Sequence, residues 1–424
     1  MVGQAAETLI DMSAPVPARP RVSGALPLAP IDEPGELRLM LHQDLAAVEP
    51  DWRRLEQNAD CTPFQTFDWL SCWQRHIGSM TGVKPAIVVA WRGSDILFVL
   101  PLAVAQGRLA RRLTFLGQEL CDYNAPLLAR DFAARIGTDF AALWRDIRRL
   151  IQATPALRYD TISFAKMPAA VGTQRNPMLF LDVQPNPSGA YETRLGTDWE
   201  PFYTSKRSSA TRRRDRTKLK RLGELGAVKF VDPQLPDEIA ATLDALIRQK
   251  TKSFARIGVP NMFARPGHAE FYRALITHRP FVHLSRLDVG ATWAATNLAL
   301  LHGDCYYHVL ASYDDGEVSR FGPGAAHLRE LLRYAIGRGC TRFDFTIGDE
   351  PYKRDWCETE QQLHDYAAAV TLRGWPSFAI ASAWRRAKRM IKQSTLLWGV
   401  AVRVRTILAT LRNKPVPTAK EHTD

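Results

Sequence analysis

Between Gly303 and Trp356 the chain runs GDCYYHVLASYDDGEVSRFGPGAAHLRELLRYAIGRGCTRFDFTIGDEPYKRDW, the stretch best equipped to hold a reaction centre. An apolar and aromatic run, Cys305 to Ser312, suits a buried strand, and Ser319 to Gly324 supply a glycine-rich turn. Apolar residues from Ala325 to Ile336 then fall near the 3.6 period of a helix, and Phe343 to Ile347 make a second short strand. Strand, glycine turn and helix form an anion-binding arrangement, because the first helical turn carries unpaired N–H groups and the positive end of the dipole. Gly322 and Gly324 would let a phosphate approach that backbone closely. The turn lacks the Gly-Lys-Ser/Thr of a Walker loop and the third glycine of a dinucleotide fold, and alone it reads equally as an ordinary turn before a helix. Asp344 lies between Phe343 and Phe345, so strand alternation turns it away from the face of those aromatics, where it is expected to serve the fold. Asp349 and Lys353 follow in a loop beyond the strand's carboxyl end, where ligands of open α/β sheets gather. They are expected to act on the substrate, the carboxylate as proton acceptor and the ammonium as counter-charge.

The element order and the string DFTIGDEPYKRDW resemble the CelD-type acyltransferases of bacterial polysaccharide synthesis, a branch of the GNAT superfamily related to the FemABX transferases. The resemblance covers roughly residues 36 to 372 and includes a Pro-Phe-Gln-x-x-x-Trp segment, here Pro63, Phe64, Gln65 and Trp69, which is read as aromatic packing at a helix start. It implies an acyl-coenzyme A co-substrate, acetyl-coenzyme A first, and no metal. The family's Q/R-x-x-G-x-G/A loop aligns with Ser319, Gly322 and Gly324, so that these residues and Ala325 are expected to hold the donor pyrophosphate, with Ser in place of Gln or Arg. The resemblance further implies that the strand from Cys305 polarises the donor carbonyl and that the acceptor attacks directly. Lys353 matches the family's Tyr-Lys element. His308 lies on the donor-facing strand and is a candidate base, although a satisfied, half-buried histidine is the simpler reading. Asp122, Tyr123, Tyr352 and Trp356 are expected on the acceptor side, the last two as packing or sugar-stacking groups.

The elements that position these residues repeat. A hairpin pattern around Pro85–Val104, a helix at 140–153 and a strand at 161–164 recur in the second half, with Asp160 of YDTISF standing where Asp344 stands in FDFTIG. The expected fold is α/β (α+β), with two tandem GNAT-like domains, each a mixed, mostly antiparallel sheet flanked by helices. Residues 1–35, rich in Pro and Ala, are read as a disordered leader, 36–188 as a degenerate first domain, and 189–374 as the acyltransferase domain after a linker at Pro185–Ser188. Residues 375–424 are read as a basic amphipathic helix, strongest over 384–411, with a tail.

Of the net charge of +12, eleven units lie between Tyr366 and Lys420, a stretch without Asp or Glu, which leaves +1 for the remainder. A second basic run, Lys206 to Arg221 (KRSSATRRRDRTKLKR), is either a solvated helix face or an anion site for coenzyme A, a nucleotide-linked sugar or tRNA. No DNA-reading module accompanies it, so sequence-specific nucleic-acid binding is not expected. The six cysteines show no ligand spacing, which argues against zinc and against a disulfide framework. With no recognisable signal peptide and no 18-residue apolar run, a cytoplasmic protein is expected, with the C-terminal helix touching its own body, an acidic partner or the inner face of an anionic membrane. Three functions fit: a coenzyme A-dependent N- or O-acyltransferase acting on a sugar or amino-containing envelope precursor, an aminoacyl-tRNA-dependent FemABX-like transferase, and a non-catalytic subunit of a polysaccharide-synthesis complex.

Overall fold

The structure is a computed structural model that describes residues 36–136, 140–278 and 281–393. The expected leader, and the expected C-terminal helix and tail beyond Gln393, lie outside the described residues. Among the described residues twelve strands run through one sheet: β1 (Leu37–His42), β2 (Lys84–Arg92), β3 (Asp95–Gln106), β4 (Arg111–Phe115), β5 (Thr161–Met167), β6 (Gln184–Arg194), β7 (Val228–Val231), β8 (Val282–Val289), β9 (Thr292–His302), β10 (Cys305–Tyr313), β11 (Arg342–Ile347) and β12 (Thr359–Ala369). They are ordered β1-β2-β3-β4-β5-β12-β6-β11-β10-β9-β8-β7, with two short strands off this path.

The two halves repeat one plan. Each has a strand, two helices, a three-strand meander, a long crossover helix, preceded in the first half by the short helix Phe132–Ile136, and a strand parallel to the meander's last. The parallel pairs are β4 with β5, where Arg112 faces Thr161, and β10 with β11, where Cys305 faces Arg342. The crossover helices are Phe140–Ala153, burying Leu143, Trp144, Ile147 and Ile151, and Pro323–Gly337, burying Leu328, Leu331, Leu332 and Ala335. Their i, i+3, i+4 spacing gives each an apolar stripe that lies against the sheet.

The halves then exchange their last strands. β6 leaves the first half to pair with β11 of the second, and β12 returns to pair with β5. The tandem units therefore share one sheet. The expected linker at 185–188 is part of β6, where a register shift between Pro185 and Gly189 accommodates Pro185 and Pro187. Counting from the first parallel pairs, the counterpart of Asp344 is Ser163. Asp160 instead precedes β5, accepting from the Arg111 N–H and the Thr371 hydroxyl.

Aromatic packing joins the halves on one face. Phe64 and Trp69 are fully buried, Phe64 meeting Tyr307 at 6.4 Å and Trp69 meeting Phe271 edge-on at 5.0 Å between ring centroids. Burial of each such ring contributes roughly 2 to 3 kcal/mol. Gln65 is also buried, and its amide donates to Tyr123 O at 2.7 Å, so the Pro-Phe-Gln segment fixes the backbone that carries Tyr123.

Candidate donor cleft and a second cavity at Asp344

β10 and β11 pair only from Cys305–Arg342 to Tyr307–Asp344 and then separate. Two local irregularities accompany the separation. Against β9, Leu298 faces Leu310 while Ala299 faces His308, so Val309 is an extra residue bulged out of the ladder. On β11, Thr346 adopts a φ of 57°, a conformation costly for a β-branched residue and one that clusters at functional sites. The Thr346 hydroxyl donates to His308 O at 3.4 Å, a last tie between the strands.

The separation opens a cleft of about 380 Å³ between the helix Pro236–Ile257 and the start of Pro323–Gly337. It runs from Gly324 and Ala325, past Tyr313, to Thr296, His308 and Lys250, with Glu350, Tyr352 and Trp356 on its other wall. Of the expected pyrophosphate residues it reaches Gly324 and Ala325 but not Ser319 or Gly322. Ser319 belongs to the turn before the helix, where its carbonyl accepts the Gly322 N–H. Gly322 has a φ of 68° and begins the helix. The Ala325 and Ala326 N–H groups already converge on Gly322 O, at 3.1 Å each, so fewer free donors stand here than the turn alone implies. An anion would rely on the helix dipole, on the close approach that Gly324 permits and on the side chain of Lys218, whose Nζ lies 3.9 Å from where a Gly322 side chain would begin.

Lys218 belongs to the helix Ser209–Leu225, the expected basic helix, which buries only Leu222 and leaves Arg213, Arg214, Arg216, Lys218, Lys220 and Arg221 exposed. Just before it, Arg207 lines the cleft, stacks 4.9 Å above the Trp356 ring and pairs with Asp355 at 2.9 Å. Trp356 is buried against Phe202 and Tyr203, which identifies it as a packing group at the cleft wall.

Lys353 is buried on the one-turn helix Pro351–Arg354. Its ammonium donates to Thr346 O at 3.3 Å and Ile347 O at 2.9 Å and pairs with Glu350 at 3.1 Å, tying down the end of β11. Gly348 has a φ of 137°, a conformation that favours glycine, and a methyl group there would displace Glu350 Oε2 and Lys353 Nζ. The one-turn helix brings Glu350 to the cleft and leaves Asp349 outside it, exposed, with Oδ1 accepting the Gly189 N–H at 3.2 Å. His308 does reach the cleft, but burial and the nearby cations of Lys353 and Lys250 push it down to about 3, so it stays neutral and weakly basic.

Lys250 is a cleft residue that the sequence reading missed. Its Nζ donates to Ala311 O at 3.0 Å, and burial lowers its pKa. Only its helical register, beside Gln249 and Ser253, could have signalled that it faces the sheet.

A second cavity, of about 410 Å³, lies where the two halves meet. It is lined by Thr62 and Tyr123 from the first half, by Glu192, Tyr307, Arg342 and Asp344, and by Glu360, Gln361 and Gln362. Asp344 is buried here and central. Tyr123 Oη donates to both its oxygens, at 2.8 and 2.9 Å, and the Thr346 N–H donates to Oδ1 at 2.6 Å. Burial raises its pKa to about 7, against the lowering effect of those two donors. Thr346 thus links the two spaces, with its N–H on Asp344 and its hydroxyl on His308 of the cleft. Arg342 joins Glu192 at 3.3 Å and Asp304 at 2.9 Å. Asp122 does not line this cavity, its carboxylate lying 3.5 Å from Lys166 Nζ.

Comparison with known proteins agrees with this geometry. Residues 209–354 match the family model of the acetyltransferase (GNAT) domain. Among solved structures, FemX superposes with a TM-score of 0.56 at 10% identity, over 81% of this chain and 99% of that one. L-PGS from Bacillus licheniformis (TM-score 0.46, 10% identity, 78% and 95% covered) and a tandem GNAT protein from the clavulanic acid biosynthesis pathway (0.44, 13%, 79% and 98%) are more distant. No curated protein sequence matches the chain. With its parallel strands parting above a glycine-led helix, the region from Ser209 to Arg354 matches the acetyltransferase (GNAT) domain, in a chain whose fold is similar to that of FemX.

Proposed function

We propose that the protein is an acyltransferase of the CelD type, moving an acyl group from coenzyme A to an amine or hydroxyl of a sugar or amino-containing envelope precursor. The observation that carries this reading is the cleft at the parting of β10 and β11, which extends from the start of the helix at Gly324 to the buried ends of His308 and Thr296. A pantetheine arm fits such a slot, with its pyrophosphate at the helix start and its thioester between the strands. The acceptor enters through the cavity at Asp344, where carboxylates, an arginine and two glutamines suit a polyhydroxylated or amine-bearing molecule.

Asp344 then replaces Asp349 as the proton acceptor. Its carboxylate takes the proton of the acceptor N–H or O–H as the freed lone pair attacks the thioester carbon. The C–S bond breaks as the intermediate collapses, and Lys250, whose ammonium is destabilised by burial, gives its proton to the departing thiolate. Lys353 holds the end of β11 in register for both groups. No protein nucleophile is needed.

A second reading, an aminoacyl-tRNA-dependent transferase, is favoured by the exposed basic helix Ser209–Leu225 beside the same loop. Thermal shift separates the two: acetyl-coenzyme A raises the melting temperature on the first reading, and only charged tRNA does so on the second. Longer acyl-coenzyme A species extend the same test, and stabilisation by none of these donors would favour a non-catalytic subunit.

A further inference from the structure

The helix Trp375–Gln393 lies across β12, β6 and β5, over the strands that the two halves exchange. Its outward side is apolar rather than polar. The inward side is mixed, with Phe378, Ala381 and Ala387 half-buried beside Ser377, Ser382 and Arg385, and Arg385 donating to the Ser382 hydroxyl at 2.9 Å. The solvent side carries Pro376, Ile380, Ala383, Trp384 and Met390, with Trp384 72% and Ile380 64% exposed. Leu372, just ahead of the helix, is 88% exposed, and Trp375 is 56% exposed. A helix on a soluble body turns its polar face to water. A continuous apolar face turned outward marks a surface that something else covers.

Charge identifies the cover. Arg373 and Arg386 flank the apolar face, and the sequence from Tyr366 to Lys420 holds eleven cations and no anion. A second copy would bring another eleven cations to the same place and be repelled. An anionic lipid surface is complementary in both respects: its headgroup region takes up exposed tryptophans, and its charge attracts the flanking arginines. No helix among the described residues is long and apolar enough to cross a membrane. A helix with one apolar and one partly polar side suits the plane of the membrane surface.

We infer that the outward face of Trp375–Gln393 docks this protein on an anionic bilayer. This inference does not depend on the acyl donor or the acceptor. The test is flotation of the full chain with vesicles of phosphatidylcholine alone and of phosphatidylcholine mixed with phosphatidylglycerol. The protein should float with the mixed vesicles only and be released by high salt. Ile380→Glu with Trp384→Glu should lower binding about tenfold or more while leaving the melting temperature unchanged, and Arg386→Glu should weaken binding in the same direction. Equal flotation with neutral vesicles, or none with either, overturns the inference. A fall in melting temperature in the Ile380/Trp384 variant would show that the chain itself covers the face, and a dimeric mass by light scattering that a second copy does; either also overturns it.

Discussion

Tyr123 donates its phenolic hydrogen to both oxygens of Asp344, at 2.8 and 2.9 Å, across 221 residues of chain and from one half of the molecule to the other. Both residues line the second cavity, and the contact opposes the burial that raises the pKa of Asp344. If Asp344 takes the acceptor's proton, the rate should rise with pH and level off above about 7. Asp344→Asn should lower turnover by about 10²-fold or more and abolish that pH dependence. Tyr123→Phe removes a donor that lowers the Asp344 pKa, so it should move the midpoint of the rate profile upward. A profile unchanged in both variants would return Asp344 to a purely structural role.

Stability should carry the same signature. The pKa of Asp344 is raised on folding, from an ordinary value of 3.8 to about 7, so the native state holds this proton more tightly than the unfolded chain does. Its contribution is full below about pH 4 and is lost as pH rises to about 7, the reverse of a salt-bridged aspartate. Denaturant melts at pH 5 and pH 8 should show a loss with rising pH in the parent that is smaller in Asp344→Asn.

Lys353→Met should destabilise as well as inactivate. The ammonium is buried and donates to two carbonyls at the end of β11 besides pairing with Glu350. Leaving those carbonyls unsatisfied costs on the order of 2 to 4 kcal/mol, measurable as a lower urea midpoint. A lysine reaching only for substrate would leave that midpoint unmoved.

Lys250→Met keeps the aliphatic stem and removes the ammonium. Turnover should fall by about 10²-fold with little change in acetyl-coenzyme A affinity, since the ammonium acts as the thiolate leaves. Comparison of kcat with the binding constant checks this.

What the sequence disclosed was what lies contiguous in it. The glycine turn, the crossover helix and the short strand at Phe343–Ile347 are local patterns, and all three form. The exchange of β6 and β12 has no local pattern, because strand pairing across halves depends on tertiary packing, and a proline pair was read as a linker instead of as a bulged strand. Strand alternation correctly turned Asp344 from the face of Phe343 and Phe345. It could not disclose that Tyr123 and a cavity wait on the other side. Asp349 and Glu350 are neighbours, and only the turn of the Pro351–Arg354 helix decides that Glu350 faces the cleft. Lys250 lies far ahead of the glycine loop and carries no motif.

The central claim is that the cleft between β10 and β11 holds a coenzyme A thioester, and calorimetric titration with acetyl-coenzyme A tests it most directly. A side chain at Gly324 begins 3.3 Å from the Tyr313 ring and narrows the cleft where the pyrophosphate must pass, while Tyr313, the residue it meets, is exposed and can shift. The parent should bind one equivalent of acetyl-coenzyme A, and Gly324→Val should lose at least about tenfold in affinity at an unchanged melting temperature, a difference of about 1.4 kcal/mol. Absence of binding to the parent, or equal affinity in a folded Gly324→Val variant, would contradict the assignment.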